Sequence, residues 1–186
     1  LDERFGRTTI AAKMTDVPGH TRAIIPLLAE AGIELLHIGV NPASTAPEVP
    51  NLFRWQHPGG TSMTVIYDRG DYGQTSVFRD AGIAVCFAHT RDNEPPQNEA
   101  EVLDVYAQLG EQFPGAEIVG STLCAVANSL RRQTEELPSV NAELGDSWIY
   151  GAASDPPRIT PFRAAARLHD RWCRERGRAF LDSDVD

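Results

Sequence analysis

Lys13-Met14-Thr15-Asp16-Val17-Pro18-Gly19-His20-Thr21 is the stretch on which the reading of this chain turns. Thr8-Thr9-Ile10-Ala11-Ala12 leads into it with strand character. Arg22-Ala23-Ile24-Ile25-Pro26-Leu27-Leu28-Ala29-Glu30-Ala31-Gly32 leads out, with Ile24, Ile25, Leu27, Leu28 and Ala31 at helical spacing and Gly32 as a stop. The spacing predicts a strand over Thr8–Met14 and a helix from about Thr21 to Ala31. An acid, a Pro-Gly turn and a histidine therefore fall at the C-terminal end of a strand, where a helix begins. Ligands gather there in α/β proteins, because strand ends converge and a helix N-terminus offers free N–H groups.

Outward from this point the chain reads as more α/β units. Ile33–Asn41 is a strand that completes a βαβ unit, with a right-handed crossover as the default. The Pro-rich stretch Pro42–Pro50 is a long loop on the same rim as Asp16. Phe53–Gln56 and Met63–Tyr67 flank Pro58-Gly59-Gly60 as a hairpin inserted beside the main sheet. Asp68–Gly73 reads as a mobile polar loop and Gly82–His89 as another core strand. A helix over Glu99–Phe113 follows, with Val102, Leu103, Val105, Tyr106 and Leu109 on its apolar side. The remainder reads as a short strand at Ala116–Val119, a helix over Leu123–Leu137, a last strand at Ser139–Leu144, and a long helix opened by Pro161 and running to about Phe180. No linker or repeat divides residues 1–186, which are expected to form one α/β domain.

Composition bounds the function. The chain has 186 residues, 41% of them hydrophobic and 23% charged, which is ordinary for a globular protein with a real core. A net charge of −9 argues against nucleic acid and against anionic membranes as partners. No apolar run approaches the roughly 20 residues that span a bilayer. The start, Leu1-Asp2-Glu3-Arg4, has neither an initiator methionine nor a signal peptide, so further domains of a longer parent chain are expected. Cys86, Cys124 and Cys173 are odd in number and widely spaced, as for buried free thiols in a reducing compartment, which favours the cytoplasm.

Three polar clusters follow strands: Asp16 with His20, then His89, Asp92 and Asn93, then Glu143 and Asp146. Acids at several strand ends suit a glycosidase or a metal-dependent hydrolase, in which one carboxylate attacks or holds a metal and another donates a proton. Each also has a plainer reading. Asp16 fits a helix N-cap, His20 a first-turn residue and Asp92-Asn93 a turn. Trp148 suits either a sugar face or the core. Glu143, at the end of an apolar strand, needs a partner if buried. His37 alternates with core residues and is expected to be a satisfied core histidine.

Asp16-Val17-Pro18-Gly19-His20-Thr21, with Pro26-Leu27-Leu28 and Ala31-Gly32-Ile33, resembles the nucleophile motif of glycoside hydrolase family 38, the α-mannosidases. Lys13–Thr21 and Gly145-Asp146-Ser147-Trp148-Ile149 are most similar to the branch called domain of unknown function 5054. This resemblance implies an irregular seven-stranded (β/α) barrel of the glycoside hydrolase and deacetylase type, incomplete in this chain, and a carbohydrate substrate. It implies retaining hydrolysis with Asp16 as nucleophile and zinc ligand and Asp92 as general acid/base. It places His20, His89, Asn93, Glu143, Asp146 and Trp148 at the substrate. The other zinc ligands, a His-x-Asp pair upstream and a histidine from a later domain, are expected outside this chain. Two alternatives remain: a polysaccharide deacetylase-like metal hydrolase, and a carbohydrate-binding module that kept the fold without the chemistry.

Overall fold

A computed structural model describes residues 2–73, 75–88, 94–131, 136–145 and 156–176. They fall into two compact units, 1–148 and 149–186. In the first, a short helix α1 (Asp2–Phe5) precedes β1 (Ala11–Thr15), α2 (Ile24–Glu30), β2 (Leu35–Gly39), β3 (Leu52–Gln56) and β4 (Ser62–Asp68). Then come β5 (Ser76–Phe78), β6 (Ile83–Val85), α3 (Glu99–Gln112), α4 (Leu123–Leu130) and β7 (Ser139–Val140). The second unit contains α5 (Pro156–Arg176).

The main sheet has five strands in the order β1-β2-β4-β3-β7. Three of its pairings, β1 with β2, β2 with β4 and β3 with β7, are parallel, and β3 with β4 is antiparallel. Among the described residues this is an open, mainly parallel sheet with β1 and β7 at its edges. The expected βαβ unit is present as β1-α2-β2. The hairpin around Pro58-Gly59-Gly60 is also present, but not beside the sheet. Its second strand, β4, lies directly against β2 and so forms the centre. The reason is apolarity: β4 is buried along almost its whole length, as a central strand must be.

Strand periodicity sorts the side chains onto two faces. Leu36, Ile38, Phe53, Trp55, Val65 and Tyr67 pack with Ile25 of α2 on one face. Ala11, Leu35, Leu52 and Ile66 pack with Ala127 and Leu130 of α4, and with Phe78 and Val85, on the other. Trp55 is fully buried and its indole N–H donates to the Ala142 carbonyl at 2.9 Å, fastening the chain after β7 to the hairpin.

Several expectations are corrected. Gly82–His89 is not a core strand of the main sheet: Ile83–Val85 pairs antiparallel with β5 in a separate two-stranded sheet. Residues 116–119 are not a strand, and the strand expected over Ser139–Leu144 is reduced to Ser139–Val140 plus a single bridge at Leu144. The first α/β helix begins at Ile24, three residues later than its apolar spacing suggested. In the second unit α5 is opened by Pro156 and Pro157 rather than by Pro161, because a first turn has no use for the N–H groups that proline lacks; Pro161 lies inside the helix. Cys86, Cys124 and Cys173 are free, but Cys86 is exposed rather than buried. No described helix is long and apolar enough to cross a membrane.

Candidate functional site

Asp16 is the residue after β1, and its backbone leaves the strand in the left-handed region at φ 58°. Few residues other than glycine tolerate that conformation, and aspartate is one of them. The turn separates the acid from the helix: α2 is capped at Ala23 with no side-chain bond, so Asp16 is not its N-cap. Its carboxylate is held instead by residues from two other strand ends. Asn41, just past β2, donates from Nδ2 to Asp16 Oδ1 at 2.8 Å, and the Tyr72 hydroxyl donates to the same oxygen at 2.5 Å. Asn41 Nδ2 also donates to the Tyr72 hydroxyl at 2.9 Å, so the three groups form a closed triangle. The bonds from Asn41 and then Tyr72 keep the Asp16 carboxyl below its ordinary range and hence ionised at neutral pH. Both bonds fall on Oδ1, and among the described residues none falls on Oδ2.

Tyr72 reaches this position because β2 ends in glycine. A Cβ on Gly39 would stand 2.6 Å from Tyr72 Cα and 2.9 Å from Thr15 Cγ2, so only glycine admits the Tyr72 backbone. The stretch Asp68–Gly73, expected to be a mobile loop, is therefore anchored: Tyr72 is 8% exposed. Gly39→Ala is expected to destabilise the protein by about 1–3 kcal/mol, the usual cost of overpacking, read as a shift of the urea midpoint.

Beneath the triangle lies a second polar group. Lys13 of β1 pairs with His37 of β2 across the sheet, and Asp68 lies two residues beyond Ile66, the partner of His37 on β4. The period of two therefore puts Lys13, His37 and Asp68 on one face. His37 is fully buried and is bonded as a core histidine should be, with Nε2 2.7 Å from Asp68 Oδ2 and Nδ1 3.2 Å from Lys13 Nζ. An ammonium can only donate, so Nδ1 carries the lone pair and Nε2 the proton given to Asp68. The second Asp68 oxygen accepts from the Ser76 hydroxyl at 2.8 Å. Lys13 Nζ also donates to the Tyr72 carbonyl and sits 4.3 Å from the centre of the Phe87 ring. Lys13 is exposed as a whole, but partial desolvation of its ammonium lowers the pKa from 10.5 to about 8, against the opposing pull of Asp68 and Asp71.

The sign of that shift fixes a pH effect. Between about pH 8 and 10.5 the unfolded chain holds the Lys13 proton and the folded one releases it, so stability from this group rises with pH over that window. Comparing chemical denaturation of the wild type with Lys13→Met at pH 7 and pH 10 should show the wild type gaining relative to the variant at the higher pH.

His20 and Glu143, both expected at the substrate, lie together. His20 is 8% exposed and exchanges backbone hydrogen bonds with Leu144, at 2.8 and 3.0 Å. That bridge brings Glu143 to the turn before α2, where it accepts from the Arg22 backbone at 2.6 Å and from Arg22 Nε at 3.2 Å. Desolvation pushes the Glu143 pKa up, but the bonds from Arg22 and Thr21 outweigh it and the net shift is downward. Glu143 thus holds the turn that leads into α2, one residue before its N-cap. Glu143→Ala is expected to cost up to about 1 kcal/mol at neutral pH, the scale of an exposed charged contact. A depressed carboxyl stabilises above its unfolded value and loses that contribution as pH falls through the folded one. The difference between wild type and variant should therefore vanish in acid denaturation experiments.

His89, Asp92, Asn93, Asp146 and Trp148 lie outside the described residues. Asn41, Tyr72, Lys13, Asp68 and Ser76 were not singled out in the sequence. Asn41 and Asp68 carried a usable signal, a polar residue directly after an apolar strand. Tyr72 carried none, because its place depends on the close approach at Gly39. Among the described residues no three histidine, cysteine, aspartate or glutamate side chains form a group able to hold a metal ion. No protein-family model matches the chain, and no curated protein sequence matches it.

Proposed function

We propose that this protein is a glycoside hydrolase of the α-mannosidase-like type that cleaves glycosidic bonds with retention, using Asp16 as nucleophile. The observation that supports the reading is the state of Asp16: ionised at a strand end, fixed through Oδ1 by Asn41 and Tyr72, with Oδ2 carrying no bond among the described residues. A displacement nucleophile needs just that, one oxygen anchored and one presented. In the reaction, Asp16 Oδ2 bonds to the anomeric carbon as the bond to the leaving oxygen breaks. Asp92, the acid/base implied by the resemblance, gives that oxygen its proton. Asp92 then takes a proton from water, which attacks the anomeric carbon and releases Asp16. Retention calls for the two carboxyl groups to stand about 5–5.5 Å apart.

The resemblance also brings zinc, with Asp16 as one ligand. A single carboxylate does not make a zinc site, and the described residues offer no group of three, so they do not fit the metal by themselves. No step is routed through it. The five-stranded sheet would be part of the family's barrel, and the carbohydrate the partner. The alternative of a binding module is favoured by that same want of metal ligands.

The test is a panel of aryl α- and β-glycosides with and without added zinc, with proton NMR on the first-formed sugar. The expected result is hydrolysis of an α-glycoside with the α-anomer formed first. Formation of the β-anomer would exclude a glycosyl-enzyme on Asp16. Sugar binding without hydrolysis across the panel would replace the enzyme by the binding module.

A further inference from the structure

Tyr72 is held at both ends. Its carbonyl accepts from Lys13 Nζ, its Cα is pressed against Gly39, and its hydroxyl donates to Asp16 Oδ1 at 2.5 Å. Lys13 in turn is fixed from several sides: His37 of β2 lies 3.2 Å away, the Phe87 ring is 4.3 Å away, and the carboxylates of Asp68 on β4 and Asp71 beside Tyr72 balance its charge. These contacts converge on one tyrosine, whose hydroxyl accepts from Asn41 and donates to the acid.

We propose that Lys13 is a positioning residue for Asp16, acting through Tyr72: the ammonium clamps the Tyr72 backbone so that the phenol fixes Asp16 Oδ1 and leaves Oδ2 to face the substrate. This rests on the reading of Asp16 as nucleophile, but the mechanical link from Lys13 to the phenol is testable without turnover. Among the described residues the ammonium bonds His37 and the Tyr72 carbonyl rather than the acid. Removing it frees the Asp68–Gly73 loop to lift from Gly39, and the phenol leaves with it. Arginine, which keeps a permanent charge and N–H donors, can still bond the carbonyl.

The experiment is 13C NMR of protein labelled at the tyrosine Cζ, with the Tyr72 line identified among four tyrosines by its loss in Tyr72→Phe. Lys13→Met is expected to move the Tyr72 line in the direction seen for Asp16→Asn, and Lys13→Arg to restore at least half of the shift. With an aryl glycoside, Lys13→Met should lower kcat by about 10-fold with KM within twofold, and Tyr72→Phe by up to about 100-fold, the scale of a misplaced reacting group. The double variant should be no worse than Tyr72→Phe alone. A Tyr72 line that is unmoved by Lys13→Met would overturn the clamp even if hydrolysis is found. A line that moves in a protein without hydrolysis would keep the clamp and remove the enzymatic reading.

Discussion

Asp16→Asn is expected to lower kcat/KM for a cleaved aryl glycoside by on the order of 10^3 to 10^6, the range over which removal of a covalent nucleophile acts. The size of this effect depends on what the substitution leaves alone. Asparagine has the shape of aspartate and tolerates the same left-handed backbone. Its amide oxygen can still accept from Asn41 and Tyr72, so the triangle of contacts survives. What is lost is the charge and the second nucleophilic oxygen. The thermal midpoint should therefore stay within a few degrees of the wild type while activity collapses. A fall of less than about tenfold would mean that Asp16 does not form the bond to the sugar.

The largest effect on stability is expected at Asp68. It is 3% exposed and accepts from two side chains, His37 at 2.7 Å and Ser76 at 2.8 Å, while its charge offsets that of Lys13. Asp68→Ala leaves an imidazole N–H and a hydroxyl buried without their acceptor and the ammonium without its nearest strand carboxylate. Removing one member of such a buried charged network costs about 3–5 kcal/mol. Asp68→Asn keeps the shape and one acceptor oxygen, so it should recover a substantial part of the loss. Equilibrium denaturation in urea would show this as a fall in midpoint at constant slope. A loss below about 1 kcal/mol in Asp68→Ala would show that the network holds nothing in place.

How much of this was legible in the sequence follows from the range of the forces involved. The β1-α2-β2 unit could be read because its signals are local: a β-rich run, a turn at Pro18-Gly19, then apolar residues at helical spacing. Asp16 could be read for the same reason, as an acid where a strand stops. His37 was correctly placed as a satisfied core residue, since an imidazole amid apolar neighbours on a strand must find partners. The partners themselves were out of reach. Asp68 meets His37 only because β4 pairs with β2, and the hairpin that contains β4 looks like an appendage until that long-range pairing is known. Tyr72 is further still from any local rule, since its position follows from one missing Cβ on Gly39, 33 residues earlier in the sequence. Glu143 was read from its place after an apolar strand, but its partner Arg22, in the turn before α2, could not be, since that contact spans 121 residues. The run from Gly82 misled for the opposite reason: it is apolar and strand-like, but among its described residues, 82–88, Ile83–Val85 alone forms a strand, and its partner is β5.

The nucleophilic role of Asp16 is tested most directly by trapping. The protein, supplied with zinc, is incubated with a slowly turned-over fluorinated glycosyl fluoride of the sugar identified by the aryl glycoside panel, and the adduct is located by peptide mass spectrometry. The predicted result is one sugar per chain, on the peptide containing Asp16, absent in Asp16→Asn. An active protein that gives no adduct, or an adduct on another residue that persists in Asp16→Asn, would contradict the account.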